Sequence, residues 1–266
     1  MWQRYVAIGD SSTEGLDDPD GSGGFRGWAD RLAEHIARHQ GGLEYANLAV
    51  RGRATAQIMA EQLPVALSLR PDLVTVVAGM NDLMRPAFDP VAVAAEVGTM
   101  FAALVQQGAT VLSFTLPDPT PNMPFAWWLR SRVASLNDEL LAIGDRVGVI
   151  MVDVGGFCHA SDPRLWSDDR LHGNDAGHAL VAQALAHGLG LPGADASWAD
   201  PLPAVPPRGL AEAVLADVAW ARVHAMPWAW RFVRGRSAGD GLSAKRPVPT
   251  PIPLPRSRRS RGSSRG

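Results

Sequence analysis

Gly9-Asp10-Ser11-Ser12-Thr13-Glu14-Gly15 follows directly on the run Arg4-Tyr5-Val6-Ala7-Ile8. A short β-rich run that breaks at a glycine into small polar residues predicts a strand turning tightly into a helix. A serine at such a turn projects its hydroxyl at the edge of a sheet. The same grammar repeats along the chain. Apolar runs at 5–8, 43–47, 73–77, 110–114 and 148–152 are short, as strands buried on both faces are. Helical patterns lie between them. Val93, Val97, Met100, Phe101 and Leu104 share one face, with Asp89 as N-cap and Pro90 at the first helical position. Phe125, Leu129, Val133, Leu136, Leu140 and Ile143 recur at helical spacing, and a last helix from Asn174 buries Leu180, Val181, Ala184 and Leu185. Alternation of strands and helices predicts an α/β fold, a three-layer sandwich around a central parallel sheet. Such a sheet holds its ligand at the carboxyl ends of the strands.

Polar residues therefore matter most just after each strand. Asn47-Leu48-Ala49-Val50-Arg51-Gly52 follows the second, and Gly79-Met80-Asn81-Asp82 the third. After the fifth and a long loop comes Ser167-Asp168-Asp169-Arg170-Leu171-His172. A serine hydroxyl is a weak nucleophile until a base takes its proton. His172 supplies a base, and Asp169, three residues earlier, is placed to receive its Nδ1–H and fix the tautomer. Asp168 is the rival acid. The Ser11 N–H, the Gly52 N–H and the Asn81 side chain are candidate donors to a developing oxyanion, each worth about 10²–10³ in turnover. Arg51 and Met80 neighbour those donors, and Trp127 and Trp166 offer walls for an acyl group, whereas Trp128 is expected in the core. Asp10 is expected to support the loop beneath the site.

These blocks resemble the SGNH hydrolases, also called GDSL esterases and lipases. Gly9-Asp10-Ser11 matches the first family block, Gly52 the second, Gly79-Met80-Asn81-Asp82 the third and Asp169-Arg170-Leu171-His172 the last. All four stand in the family's order over residues 4–190. Ser12 stands where the family nickname has Leu, and Gly173 where Pro is frequent. The resemblance implies a flavodoxin-like fold and ester hydrolysis through an acyl-serine intermediate. It implies Ser11 as nucleophile, His172 as base, Asp169 as its partner and an oxyanion hole from Ser11, Gly52 and Asn81. It implies no cofactor and no metal. The substrate expected is a small-molecule ester with a small to medium acyl group. Deacetylation of a sugar or another metabolite is the alternative.

Composition bounds the rest. With 46% hydrophobic residues the 266-residue chain can bury a large core, and its single cysteine, Cys158, excludes a disulfide framework and a multi-Cys zinc site. No apolar run reaches the ~18 residues of a membrane span. The first residues lack the basic, apolar and small-residue pattern of a secretory signal, which predicts a cytoplasmic protein. The net charge of −2 is uneven: after Asp240 come seven basic side chains and no acid, leaving −9 on the first 240 residues. The expected organisation is a hydrolase domain at 1–190, a Pro-rich linker at 191–209, a helical appendix at 210–235 docked through its tryptophans, and an unstructured basic tail at 236–266. That tail could contact anionic lipid or nucleic-acid phosphates, so a non-catalytic module recruited by it is the non-enzyme alternative. Gly235-Arg236-Ser237-Ala238-Gly239-Asp240-Gly241 resembles an appendix of actinobacterial members. The remaining histidines, His35, His39, His178, His187 and His224, are expected at the surface or on helices, and His159 in a solvated loop. Gly21-Ser22-Gly23-Gly24 lacks the following Lys-Ser/Thr of a phosphate loop and predicts a flexible rim.

Overall fold

β1 (Arg4–Gly9) runs up the middle of a six-stranded sheet whose spatial order is β5-β4-β3-β1-β2-β6. The computed structural model describes residues 1–123, 126–157, 159–206 and 209–253; Phe125, Cys158 and the arginines from Arg256 onward lie outside them. β2 (Glu44–Asn47), β3 (Leu73–Val77), β4 (Thr110–Phe114) and β5 (Ile150–Val152) are all parallel to β1. The chain moves outward from β1 to one side for β2 and to the other for β3, β4 and β5. The strand order therefore reverses beside β1, where open α/β sheets bind ligands.

Helices cover both faces. α2 (Gly27–Gln40) packs with α8 (Asp175–Gly188) on one. α3 (Thr55–Glu61), α6 (Pro90–Gln106) and α7 (Leu129–Val147) line the other, with α4 (Leu63–Leu69) completing the crossover to β3. Every residue of β3 is buried, which is why the strands read as unbroken apolar runs. Two short helices begin at strand ends: α1 (Ser11–Glu14) after β1 and α5 (Met80–Leu83) after β3. The expected caps are present, with Asp89 accepting from Val91 and Ala92 N–H and Asn174 from Gly177 N–H.

The C-terminal third departs from the expectation. The linker expected at 191–209 docks in its first half. Ala196–Ala199 forms a 3₁₀ turn whose buried Trp198 meets Phe157 edge-on, with ring centroids 4.4 Å apart, and accepts a hydrogen bond from His159 Nε2 at its carbonyl. His159 is thus buried, not solvated. α9 (Leu210–Trp220), a π-helical turn at Ala221–Ala225 and α10 (Met226–Val233) form one bent helical segment. Pro227 cannot donate to the preceding turn, and the wider π turn absorbs that loss. Of its tryptophans only Trp220 is buried; Trp230 is exposed. Nor is all of 236–266 without structure. Arg246–Pro251 is β6, antiparallel to β2 at the sheet edge, and Ile252 enters the core. Ile252 N–H donates to Leu43 O at 2.9 Å. With a period of two, the outward N–H positions are 247, 249 and 251, all proline, so the outer edge offers few donors.

Candidate active site

Ser11 opens α1 at the end of β1, and Asp10 caps that helix by accepting from Ser12 N–H. The turn is tight. A Cβ on Gly9 would lie 2.2 Å from Thr13 Oγ1, and buried Gln62 holds both backbone groups of Gly9 at 2.8 Å. These constraints aim Ser11 Oγ at the switch point. His172 Nε2, 161 residues later, stands 2.8 Å from it. His172 Nδ1 lies 2.5 Å from Asp169 Oδ2, while Asp169 Oδ1 accepts from Leu171 and His172 N–H at 2.8 and 2.9 Å. With Nδ1 facing a carboxylate, the proton belongs on Nδ1 and Nε2 is free to accept from the serine. The structure therefore joins Ser11, His172 and Asp169 in one line. Asp168 takes no part in it.

Burial works against a charged His172. The hydrogen bond and charge of Asp169, with Asp17 and Asp10 behind it, outweigh that and hold the imidazole above its ordinary pKa. Burial likewise disfavours a charged Asp169, but bonding to His172 keeps its carboxyl well below the usual range. Asp10 is pushed up to about 6, chiefly by burial.

The expected oxyanion donors sit around the same cavity. Gly52 has a left-handed φ of +72°, and a Cβ there would meet Ser237 Oγ at 2.2 Å. Neither the Ser11 nor the Gly52 N–H has a protein acceptor among the described residues. Asn81 differs from the expectation. Its Nδ2 donates to Asp10 Oδ2 at 2.8 Å and to Arg53 O at 3.1 Å, so both amide hydrogens are engaged. Arg51 borders the cavity, but its guanidinium is bonded to Glu14 and lies over the Phe25 ring. Met80 and Trp166 line the cavity. Trp127 does not: it is 78% exposed, and Trp128 takes the place expected of it, beside the cavity and under Arg132 rather than in the core.

Several site residues escaped the sequence. Asp17 Oδ2 lies 4.0 Å from His172 Nδ1 and 2.7 Å from Ser167 Oγ, which is also 2.7 Å from Asp169 Oδ1. Asp17, Asp169 and His172 bring ligand-type atoms within 4.8 Å of one another, but those atoms are engaged in this network. Trp220 Nε1 donates to Asp169 O at 2.8 Å, and Arg170 lies over the Trp220 ring while its Nη1 meets Asp217. Ser237 Oγ donates to Gly52 O at 3.1 Å. The appendix thus grips the loop of the acid and the loop of Gly52. His178, expected as an ordinary helix residue, is buried: its Nδ1 accepts from Trp28 N–H and its Nε2 donates to Leu16 O.

A model of the GDSL-like lipase/acylhydrolase family matches residues 7–180, which span all four blocks. The chain belongs to this family. It is an ester hydrolase of the GDSL type. It is 29% identical to the GDSL lipase Rv0518 of Mycobacterium tuberculosis over 191 residues, 68% of this chain and 79% of that protein. The fold matches LAE5, an alpha/beta hydrolase enzyme from the metagenome of Lake Arreo, Spain, with a TM-score of 0.59 and 22% identity over 71% of this chain and 95% of that one. It also matches Axe2, an acetylxylan esterase from Geobacillus stearothermophilus, with a TM-score of 0.59 and 16% identity over 74% and 96% of the two chains. The family match ends at residue 180, so the segment gripping Asp169 and Gly52 lies beyond it.

Proposed function

We propose that this GDSL-type hydrolase cleaves carboxylic esters through an acyl-serine, with Ser11 as nucleophile, His172 as base and then acid, and Asp169 as the imidazole's partner. The observation that carries this is the 2.8 Å contact between Ser11 Oγ and His172 Nε2, with Asp169 behind Nδ1. Ser11 Oγ attacks the carbonyl carbon as its proton passes to Nε2. Asp169 stabilises the imidazolium that forms. The Ser11 and Gly52 N–H groups, which lack protein acceptors among the described residues, receive the oxyanion. Asn81 joins them as a third donor by rotating off Asp10. The imidazolium returns its proton to the leaving alcohol, and water repeats the cycle on the acyl-enzyme.

The cavity over Ser11 measures about 970 Å³ and is walled by Val77, Met84, Phe114, Leu116, Leu165 and Val181 among others. An apolar acyl chain of medium length fits such walls better than the acetyl group of a sugar. The test is hydrolysis of a p-nitrophenyl ester series. Ser11→Ala should lower kcat by about 10⁴-fold or more while the far-UV spectrum stays unchanged. A fluorophosphonate should label the peptide carrying Ser11. Retained turnover in Ser11→Ala would move the nucleophile elsewhere.

A further inference from the structure

In the helical segment from Leu210 to Val233, α9 is apolar on more than one side, a pattern that elsewhere marks a helix buried all round, and α10 is amphipathic. The segment's inner side, with Trp220, Ala221, His224, Ala225 and Trp228, roofs the cavity over Ser11. Its outer side has nothing over it among the described residues. Leu215, Val218, Arg222, Met226, Trp230 and Val233 recur every three or four residues, placing them on one stripe, and Leu215, Met226 and Trp230 are 71, 65 and 60% exposed. An exposed apolar stripe of this length marks an interaction surface. Its charge indicates which kind. The segment's two acids, Glu212 and Asp217, lie in the first two turns, with Asp217 paired to Arg170; from Ala221 to Gly239 the chain carries Arg222, Arg231, Arg234 and Arg236 and no carboxylate. Arg234 folds over the exposed Trp230 ring at 4.2 Å, an aromatic and a cation side by side as at a lipid headgroup boundary.

We propose that this outer stripe seats the protein on an anionic lipid–water interface, with the helix lying in the plane of the interface and the cavity beneath its inner side. The apolar side chains enter the acyl boundary and the arginines meet the headgroup phosphates. Docking needs no turnover, so it stands apart from the proposed chemistry. If a lipid ester is the substrate, the same helix touches both the lipid surface and the site that cleaves it.

Flotation of the full chain with vesicles tests this. The probes are equimolar phosphatidylglycerol–phosphatidylcholine vesicles and phosphatidylcholine vesicles. Expected is binding to the anionic vesicles that weakens as salt rises, with Ser11→Ala binding equally well, which separates docking from catalysis. The triple substitution Leu215→Gln, Met226→Gln, Trp230→Gln should weaken binding about tenfold or more, yet leave p-nitrophenyl acetate hydrolysis without vesicles unchanged. Should that variant misfold, Arg222→Glu with Arg234→Glu leaves the apolar stripe intact and should abolish the preference for anionic vesicles. The proposal is overturned if the full chain floats with neither vesicle, or if both variants bind as the parent does. It is also overturned if sedimentation shows a dimer that the triple substitution dissociates, for then a second copy covers the stripe.

Discussion

Asp17 holds a left-handed backbone, with φ 67°, a conformation that costs about 1 kcal/mol or more for a residue with a side chain. The conformation brings a second carboxylate to His172. In a triad with one acid, its amide replacement costs about 10⁴ in turnover. Here Asp169→Asn should cost only about 10²-fold in kcat/KM, and Asp17→Asn with Asp169→Asn should fall to the level of His172→Ala. Asn tolerates the left-handed conformation, so the substitution isolates the charge. A second test is the pH profile. As the proposed base His172 must be neutral, and its pKa is raised by Asp169, with Asp17 and Asp10 contributing, against burial. The kcat/KM of p-nitrophenyl acetate should therefore rise with pH through a midpoint above 6.5, and Asp17→Asn should move that midpoint down. The same shift means that charged His172 supports the fold below pH 6.5 and that this support fades as pH rises through the folded pKa. The grouping of Ser11, His172 and Asp169 was legible because Ser11 ends a strand and the Asp-x-x-His spacing follows the fifth strand and its loop. Asp17 was not, since its contacts lie 150 residues away at Ser167 and no local pattern announces them.

At the scale of elements, His178 ties α8 to the start of α2 and to the loop after α1. Burial lowers its pKa to about 4, so the neutral ring is the folded form. A pKa depressed on folding gives stability that is present above pH 6.5 and lost as pH falls through about 4. The span amounts to about 3 kcal/mol. Urea midpoints at pH 7 and 4.5 should show that loss, and His178→Gln, which can still accept and donate, should flatten it. The elements themselves were mostly written in the periodicity. Expected strands at 73–77 and 110–114 match β3 and β4. β6 was hidden by its composition. Arg246-Pro247-Val248-Pro249-Thr250-Pro251 has the proline density of a disordered tail, and only the alternation of its prolines suits an edge strand. Trp128 took the wall expected of Trp127, and Trp127 went to the surface, because a residue just before a helix has no face that periodicity can assign.

At the scale of the whole molecule, the C-terminal segment is a strap whose fastenings include Trp220 on Asp169, Ser237 on Gly52, Lys245 on α2 and β6 on β2. Lys245 is the only lysine in the chain. Its Nζ reaches Phe25 O, Arg26 O and Asp30 Oδ1 at 2.9, 2.8 and 2.9 Å. Burial pushes the Asp30 carboxyl up, and the ammonium opposes that. Lys245→Met would leave Asp30 half-buried without its counter-charge, a loss of about 2 kcal/mol after allowing for partial solvent access. Differential scanning calorimetry should show Tm falling by about 5 °C. The unfastened strap should also raise KM for longer acyl esters more than for acetate, because the cavity loses its roof.

β6 is also made long after its partner β2. About 200 residues separate Asn47 from Thr250, so at ribosomal speeds of roughly 5–20 residues per second the flank of β2 stands naked for about 10–40 s in every newborn molecule. Polysomes translating this message therefore carry rows of nascent chains with the same open flank. A stop codon just ahead of Lys245 would make that passing hazard permanent.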